Sequence, residues 1–323
     1  MDYKFYQEQI EKVIAAIPYP GQPAELYDPI SYTLSNAGKR LRPVISMMAC
    51  DLVDGDCADA IHPAVSLEML HNFTLIHDDI MDQAPLRRGR ETVYRKWNPN
   101  IAILSGDTLF ALAYDYLIRT DPKILPQLLH AFNRIAIQIC EGQQMDMNFE
   151  NRNDVSIDEY IEMIRLKTAV FFGGCIQIGA ITGGAEKSQI DLLYDYGEKL
   201  GVAFQLQDDI LDAFGSVQEI GKKQGGDIVA NKKTFLYLKA LELADENSAL
   251  RLRKLFSEPL EDEDRKIFEV LQIFDKLGVR RHAEAVMEQY YQAAMHSLDK
   301  VKADPAKKEV FREFGVRLMK RNK

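Results

Sequence analysis

Cysteine, tryptophan, strand-like alternation and excess positive charge are all scarce in this chain of 323 residues. Cys50, Cys57, Cys140 and Cys175 lie scattered with no C-x-x-C spacing, which argues against a disulfide framework and reads as reduced thiols of a cytoplasmic protein. The 40 Lys and Arg against 49 Asp and Glu leave a net charge of −9. That balance argues against a nucleic-acid partner, because gripping a phosphate backbone takes a basic stripe. The single Trp97 is most simply a packing residue. Alternating apolar–polar runs are few, and there is no repeat of fixed period and no low-complexity tract. Charge is missing altogether from the 18 residues 168–185, a length near that of a membrane span. They hold five glycines, Gln177 and two threonines between Lys167 and Glu186, so a small-residue helix in a helical core is expected, and no membrane span. The N-terminal MDYKFYQEQIEKV reads as the start of an amphipathic helix and not as a signal peptide.

What the chain does have is helical period. Apolar residues make up 46% and recur at spacings of three and four, which predicts one all-α domain over 1–323 with ten or more helices. Ser156 and Glu159 spell a capping box ahead of a helix. The charged stretch 257–266 reads as a surface connection between helices. Two clusters stand out, Asp78-Asp79-Ile80-Met81-Asp82 and Asp208-Asp209-Ile210-Leu211-Asp212. In each, the first and last carboxylates are four apart and share one helix face. Like charges so placed repel by roughly a few tenths of a kcal/mol and call for a counter-charge. A hard cation suits them, since Mg²⁺ takes one or two protein carboxylates plus substrate phosphates. Within 64–82, His71, Thr74, Asp78 and Asp82 form a polar line on an apolar helix; within 188–214, Gly201, Gln205, Asp208 and Asp212 do the same. Two such acidic faces opposed across a cavity would clamp a metal-bound diphosphate.

Basic groups stand at Gly38-Lys39-Arg40-Leu41-Arg42-Pro43, with Pro43 in a first helical turn, at Arg87-Arg88-Gly89, at Lys167-Thr168, and at Lys222 and Lys232. Singly, each reads as a solvated surface charge. Together with two carboxylate pairs they supply what two diphosphates need, one on metals and the other on guanidinium and ammonium groups.

In this order the motifs resemble those of the trans-isoprenyl diphosphate synthases, or polyprenyl synthetases, which include farnesyl and geranylgeranyl diphosphate synthases. GKRLRP at 38–43, DDIMD with LRRG at 86–89, EGQQMD at 141–146, RLKTA at 165–169, FQLQDDILD at 204–212, GKKQGGD at 221–227 and Lys232 carry the likeness over nearly the whole chain. The resemblance implies an all-α bundle around a deep central cavity, a homodimer, and three Mg²⁺ ions with bound diphosphate. It implies condensation of an allylic diphosphate with isopentenyl diphosphate. Asp78, Asp82 and Asp208 would bind Mg²⁺, with Asp79 and Asp212 assisting. Arg87, Lys167, Gln205, Lys222 and Lys232 would hold the allylic diphosphate, and Lys39, Arg42, His71 and Arg88 the isopentenyl diphosphate. Thr168 and Gln143 would lie near the reacting carbons.

Product length would be set by residues four and five before the first cluster, Thr74 and Phe73. On an ideal helix Thr74 lies about 40° from Asp78 and Phe73 about 140° away, so Phe73 acts through helix curvature or packs in the core. Phe110 and Tyr114 are candidate second floor residues, and a short product of C15–C20 is expected, with a longer one of C25 or more as the alternative. Two departures from the family pattern occur: Tyr94 replaces a common His, and Asn231-Lys232-Lys233-Thr234 replaces Gly-Lys-x-Thr. A terpene cyclase would need a different second metal motif, and a non-catalytic partner subunit would lack one acidic cluster. Glu68-x-x-His71 has di-iron spacing, but that fold needs two such pairs.

Overall fold

The three-four apolar spacing is realised almost throughout: the computed structural model, which describes residues 3–36, 38–215, 224–257 and 262–320 (side chains to 319), is nearly all helix. Its helices are α1 (Tyr3–Ala15), α2 (Ala24–Leu34), α3 (Leu41–Leu52), α4 (Ile61–Met81), α5 (Val93–Lys96), α6 (Pro99–Leu117), α7 (Leu125–Glu150), α8 (Ile157–Ile164), α9 (Val170–Thr182), α10 (Lys187–Phe214), α11 (Gly226–Val229), α12 (Phe235–Leu243), α13 (Glu246–Ser257), α14 (Glu263–Leu277), α15 (Val279–Lys300) and α16 (Pro305–Lys320). A π-helical turn, Arg165–Ala169, joins α8 to α9. Two short antiparallel strands, β1 (Leu86–Arg87) and β2 (Arg90–Glu91), pair Leu86 with Glu91 and Arg87 with Arg90. Lys222 and part of the 257–266 connection lie outside the described residues.

The chain divides into two compact units. The first comprises Met1–Ala136, Gly174–Leu193 and Lys302–Lys307. Its central element is α4, every residue of which is buried from 63 to 70, as a helix apolar all round must be. Beyond residue 70 one face opens, leaving His71, Thr74 and Asp78 half-buried along the predicted polar line. Pro43 sits in the first turn of α3, as its position predicts.

The second unit comprises Ile137–Gly173, Tyr194–Val301 and Lys308–Lys323. Phe149, Tyr160, Leu206, Ile210, Phe235, Leu236, Leu252, Val270 and Phe274 belong to one core, each large apolar side chain contributing about 1.5–3 kcal/mol on burial. The capping box forms as expected, Glu159 N–H donating to Ser156 Oγ at 3.2 Å and Ser156 N–H to Glu159 Oε2 at 2.9 Å. Lys266 corrects the surface reading of 257–266: it is 4% exposed and shares the buried stripe of α14 with Ile267, Val270 and Phe274. One helical stretch, Ile157–Thr182, is long and apolar enough to cross a membrane, and 78% of its most apolar window is buried in the protein. That burial is what the small-residue reading of 168–185 expects.

Candidate functional site

Both acidic clusters close their helices. Asp78 and Asp79 lie in the last turn of α4, whose C-cap is Asp82, and Asp208, Asp209 and Asp212 lie in the last two turns of α10. A helix C-terminus carries the negative end of the macrodipole, so each carboxylate there is disfavoured by about 0.3–1 kcal/mol. No basic residue occupies the last turn of either helix. Neither helix therefore offers these carboxylates a counter-charge from its own last turn. Among the described residues no three His, Cys, Asp or Glu side chains gather into a closed metal cage.

The middle aspartate of each cluster turns inward. Asp79 is 4% exposed and accepts from Arg87 Nε at 2.7 Å. Its carboxyl is pushed up to about 6: burial raises it, the charge and hydrogen bond of Arg87 offset part of that, and Asp78 and Asp82 add to the rise. In the second cluster Asp209 is buried and accepts hydrogen bonds from Tyr160 Oη and from Gln205. Burial, then the Asp227 charge, holds it well above the usual carboxylate range. Asp212 Oδ2 accepts the Asp227 N–H at 2.8 Å, and its carbonyl accepts the Gly225 N–H at 2.8 Å. The end of α10 is thereby tied to the turn that leads to Lys232.

In the first unit the basic motifs converge. Arg88 (φ +53°) and Gly89 (φ +75°) are the two left-handed residues of a tight hairpin turn between β1 and β2. Arg87 therefore points to Asp79, while the Arg88 guanidinium lies on Gly38: a Cβ there would sit 2.5 Å from Arg88 Nη1. Arg42 Nη1 stands 3.3 Å from His71 Nε2. An arginine can only donate, so Nε2 is the acceptor and His71 carries its proton on Nδ1. Burial, then the charges of Arg42, Arg88, Arg87 and Arg40, hold His71 well below the usual histidine range and keep it neutral. Lys39 is exposed beside them. Arg40, which the motif reading passed over, is buried on Glu68 at 2.7 Å and on Leu34 O at 2.5 Å. Glu68 is thus a structural counter-ion, which accounts for Glu68-x-x-His71 without iron.

The four length-determining candidates also sit in this unit. Phe73 stacks on Phe110 (centroids 4.9 Å, 29°), and Phe110 meets Tyr114 edge-on at 5.2 Å. Phe132, unremarked in the motifs, completes the group at 5.0 Å from Tyr114. His77 packs on Phe73 at 4.6 Å. Thr74 Oγ1 donates back to His71 O at 2.8 Å. Trp97 packs edge-on against Tyr32 at 5.3 Å, as a packing residue should.

In the second unit Lys167 and Thr168 occupy the π turn, a feature recurrent at functional sites. The turn lies against Gly142 of α7, where a Cβ would come within 2.2 Å of Lys167 N. Lys167 Nζ donates to Asp146 Oδ2 at 2.5 Å, giving the last residue of EGQQMD a partner that its motif alone did not reveal. Gln143 is 7% exposed, and its buried Oε1 accepts no hydrogen bond from the protein. Lys232 is half-exposed, with Nζ 3.9 Å from Asp227 Oδ1. Its neighbour Lys233 caps the C-terminus of α7, donating to Phe149 O at 2.6 Å, Glu150 O at 3.2 Å and Arg152 O. Tyr94 is half-buried in α5.

Known proteins resemble this chain in sequence and fold. A family model described as polyprenyl synthetase matches residues 23–274. The chain is 36% identical over 306 residues to the geranylgeranyl pyrophosphate synthase of Geoglobus acetivorans, covering 94% of this chain and 92% of that one. It is 41% identical over 238 residues to the geranylfarnesyl diphosphate synthase of Natronomonas pharaonis, covering 68% and 70%. A crystal structure of a geranylgeranyl pyrophosphate synthase matches with a TM-score of 0.95 and 40% identity over 100% of both chains. With a helical fold so closely shared and its motifs in the family's order, the chain belongs to the polyprenyl synthetase family of prenyltransferases.

Proposed function

We propose that the protein condenses isopentenyl diphosphate with dimethylallyl, geranyl or farnesyl diphosphate, and that its main product is all-trans geranylgeranyl diphosphate (C20). The observation that carries this reading is the pair of Asp-Asp-x-x-Asp clusters, each placed at a helix C-terminus where bound Mg²⁺ would offset both the carboxylates and the helix dipole. Asp78 and Asp82, and Asp208 with Asp212, hold Mg²⁺, three ions when the diphosphate is bound. Bound Mg²⁺ neutralises charge on the departing diphosphate so that the allylic C–O bond can ionise. Asp79 acts chiefly by aiming Arg87, which with Lys167, Lys222, Lys232 and Gln205 binds the allylic diphosphate. Arg42, Arg88 and Lys39 bind isopentenyl diphosphate, and neutral His71 orients Arg42. The Gln143 amide oxygen and Thr168 line the reacting carbons, where an acceptor dipole stabilises developing positive charge. The isopentenyl double bond attacks the allylic cation to form the new C–C bond, and released diphosphate takes the proton lost from the carbon next to the resulting cation as the new double bond forms.

The Phe73–Phe110–Tyr114–Phe132 group forms the floor for the growing chain. A floor moved by one helical turn, about 5.4 Å, changes capacity by on the order of one isoprene unit, so C15 and C25 are the neighbouring alternatives. Both compact units belong to one catalytic domain, a reading supported by a family match that runs unbroken from 23 to 274. The working form is a homodimer: Leu104 and Ala111 on α6 and Ile118 at its C-cap are all exposed, the first and last 59% and 52%, and follow at intervals of seven residues, a heptad-spaced seam for a second copy. The free thiols, Cys140 exposed among them, agree with a cytoplasmic enzyme. Incubation with Mg²⁺, labelled isopentenyl diphosphate and each primer, followed by product chromatography, tests the assignment. Elongated C20 product is expected; no turnover with any primer by a folded preparation would refute it.

A further inference from the structure

The loop after Asp227 departs from the family pattern at Asn231, and the departure has a partner elsewhere in the unit. Asn231 takes up the left-handed conformation, φ +56°, that a glycine adopts freely. Its side-chain oxygen accepts a hydrogen bond from Lys266 Nζ at 2.5 Å, and the same ammonium reaches Val229 O at 3.4 Å. Lys266 is 4% exposed and lies 5.4 Å from the centroid of the Phe256 ring. Both of its oxygen partners are neutral. A buried ammonium carries a desolvation penalty of several kcal/mol, which an apolar side chain in the same stripe of α14 would avoid. The next residue, Ile267, props the other end of the loop, since a Cβ on Gly225 (φ +80°) would stand 2.8 Å from its Cγ1. The first turns of α14 thus support residues 225–231 at both ends, and Lys232 follows directly, its N–H on Asp227 O at 2.9 Å.

We propose that Lys266 is a positioning residue for the prenyl-transfer reaction: through Asn231 and Val229 it holds the loop so that Lys232 presents its ammonium to the allylic diphosphate. Substrate never touches it. The inference rests on the assignment of Lys232 as a diphosphate ligand. A purely structural lysine would lower stability when replaced and leave substrate affinities alone.

The test measures KM for each diphosphate separately in Lys266→Met, Asn231→Gly, the double variant and Lys232→Ala. Lys266→Met should raise KM for the allylic diphosphate about tenfold, the loss of roughly one hydrogen bond's worth of alignment. KM for isopentenyl diphosphate should stay unchanged. Asn231→Gly should act in the same direction, and adding Lys266→Met to it should change KM by less than twofold. Should Lys266→Met fail to fold, Asn231→Gly removes the same contact from an exposed residue and decides the question alone. A lower Tm with both KM values unchanged, while Lys232→Ala does raise the allylic KM, overturns the positioning role and spares the site assignment. An allylic KM unmoved in Lys232→Ala overturns both.

Discussion

Two glycines, each packed against a basic residue proposed to bind diphosphate, offer a discriminating perturbation, because a single added methyl meets backbone at one and a side-chain tip at the other. In Gly142→Ala the new Cβ would stand 2.2 Å from Lys167 N, 2.6 Å from its Cα and 2.7 Å from Leu166 C. No rotamer change relieves contact with backbone, so α7 and the π turn must part by about an ångström. Overpacking of this kind destabilises by about 1–3 kcal/mol, set against about 0.5–1 kcal/mol gained by replacing glycine within a helix. A net loss of about 1 kcal/mol corresponds to a Tm lower by roughly 1–3 °C. Displacing Lys167 should also raise the allylic KM. In Gly38→Ala the Cβ meets Arg88 Nη1 at 2.5 Å, the far end of a flexible side chain. Stability should hold or improve slightly, since the unfolded chain loses freedom. The Arg88 guanidinium must move, and losing a charged hydrogen bond of about 1.5–3 kcal/mol should raise KM for isopentenyl diphosphate by about 10–100-fold. Differential scanning calorimetry and two-substrate kinetics separate the cases. A Gly38→Ala enzyme with unchanged KM, or a Gly142→Ala enzyme with unchanged Tm and allylic KM, would refute the reasoning.

Other outcomes follow from the same geometry. Asp82→Asn removes a negative charge from the end of α4 and should raise Tm without ligand by roughly 1–3 °C while lowering turnover at least about a hundredfold; equal stability and activity to the parent would argue against a metal role. Phe73→Ala should lengthen products by about one isoprene unit, read by chromatography, and an unchanged distribution removes Phe73 from the floor. Glu68→Ala leaves the buried Arg40 with Glu11, 3.4 Å away, as its remaining carboxylate and should destabilise by about 1.5–3 kcal/mol in denaturant titration, with Glu68→Gln milder. Burial pushes the Asp51 carboxyl up, but hydrogen bonds from Tyr6 and Lys307 and the Lys307 charge outweigh it and hold it below the usual range. Its contribution is therefore full above about pH 4 and lost as pH falls through the depressed folded value. Lys307→Met should be less stable than the parent at pH 7, and the gap should narrow below about pH 4; a gap constant with pH would sink this account.

Spacing alone gave the shared helix face of the outer carboxylates in each cluster, the course of α10 to within one residue and the capping box at Ser156, because these depend on neighbours along one helix. The partners of the inner carboxylates were not legible. Arg87 on Asp79 and Tyr160 on Asp209 join residues 8 and 49 positions apart, and tertiary packing alone brings them together. The hairpin at 86–91 did leave a trace, since a glycine after Arg88 suits a turn with two left-handed residues. The π turn left none: its hydrogen-bond register reflects packing against Gly142, a contact across helices. Lys266 was misread as surface because its charge outweighed its place on the stripe with Val270 and Phe274.

The central claim is that the carboxylates at the ends of α4 and α10 bind diphosphate through Mg²⁺. Calorimetric titration of inorganic diphosphate into the protein, with and without Mg²⁺, tests it most directly, in the parent and in Asp78→Asn and Asp208→Asn. The account predicts tight binding only with Mg²⁺ in the parent, and loss of the Mg²⁺-dependent part in each variant. Mg²⁺-dependent binding of undiminished affinity in either variant would contradict it.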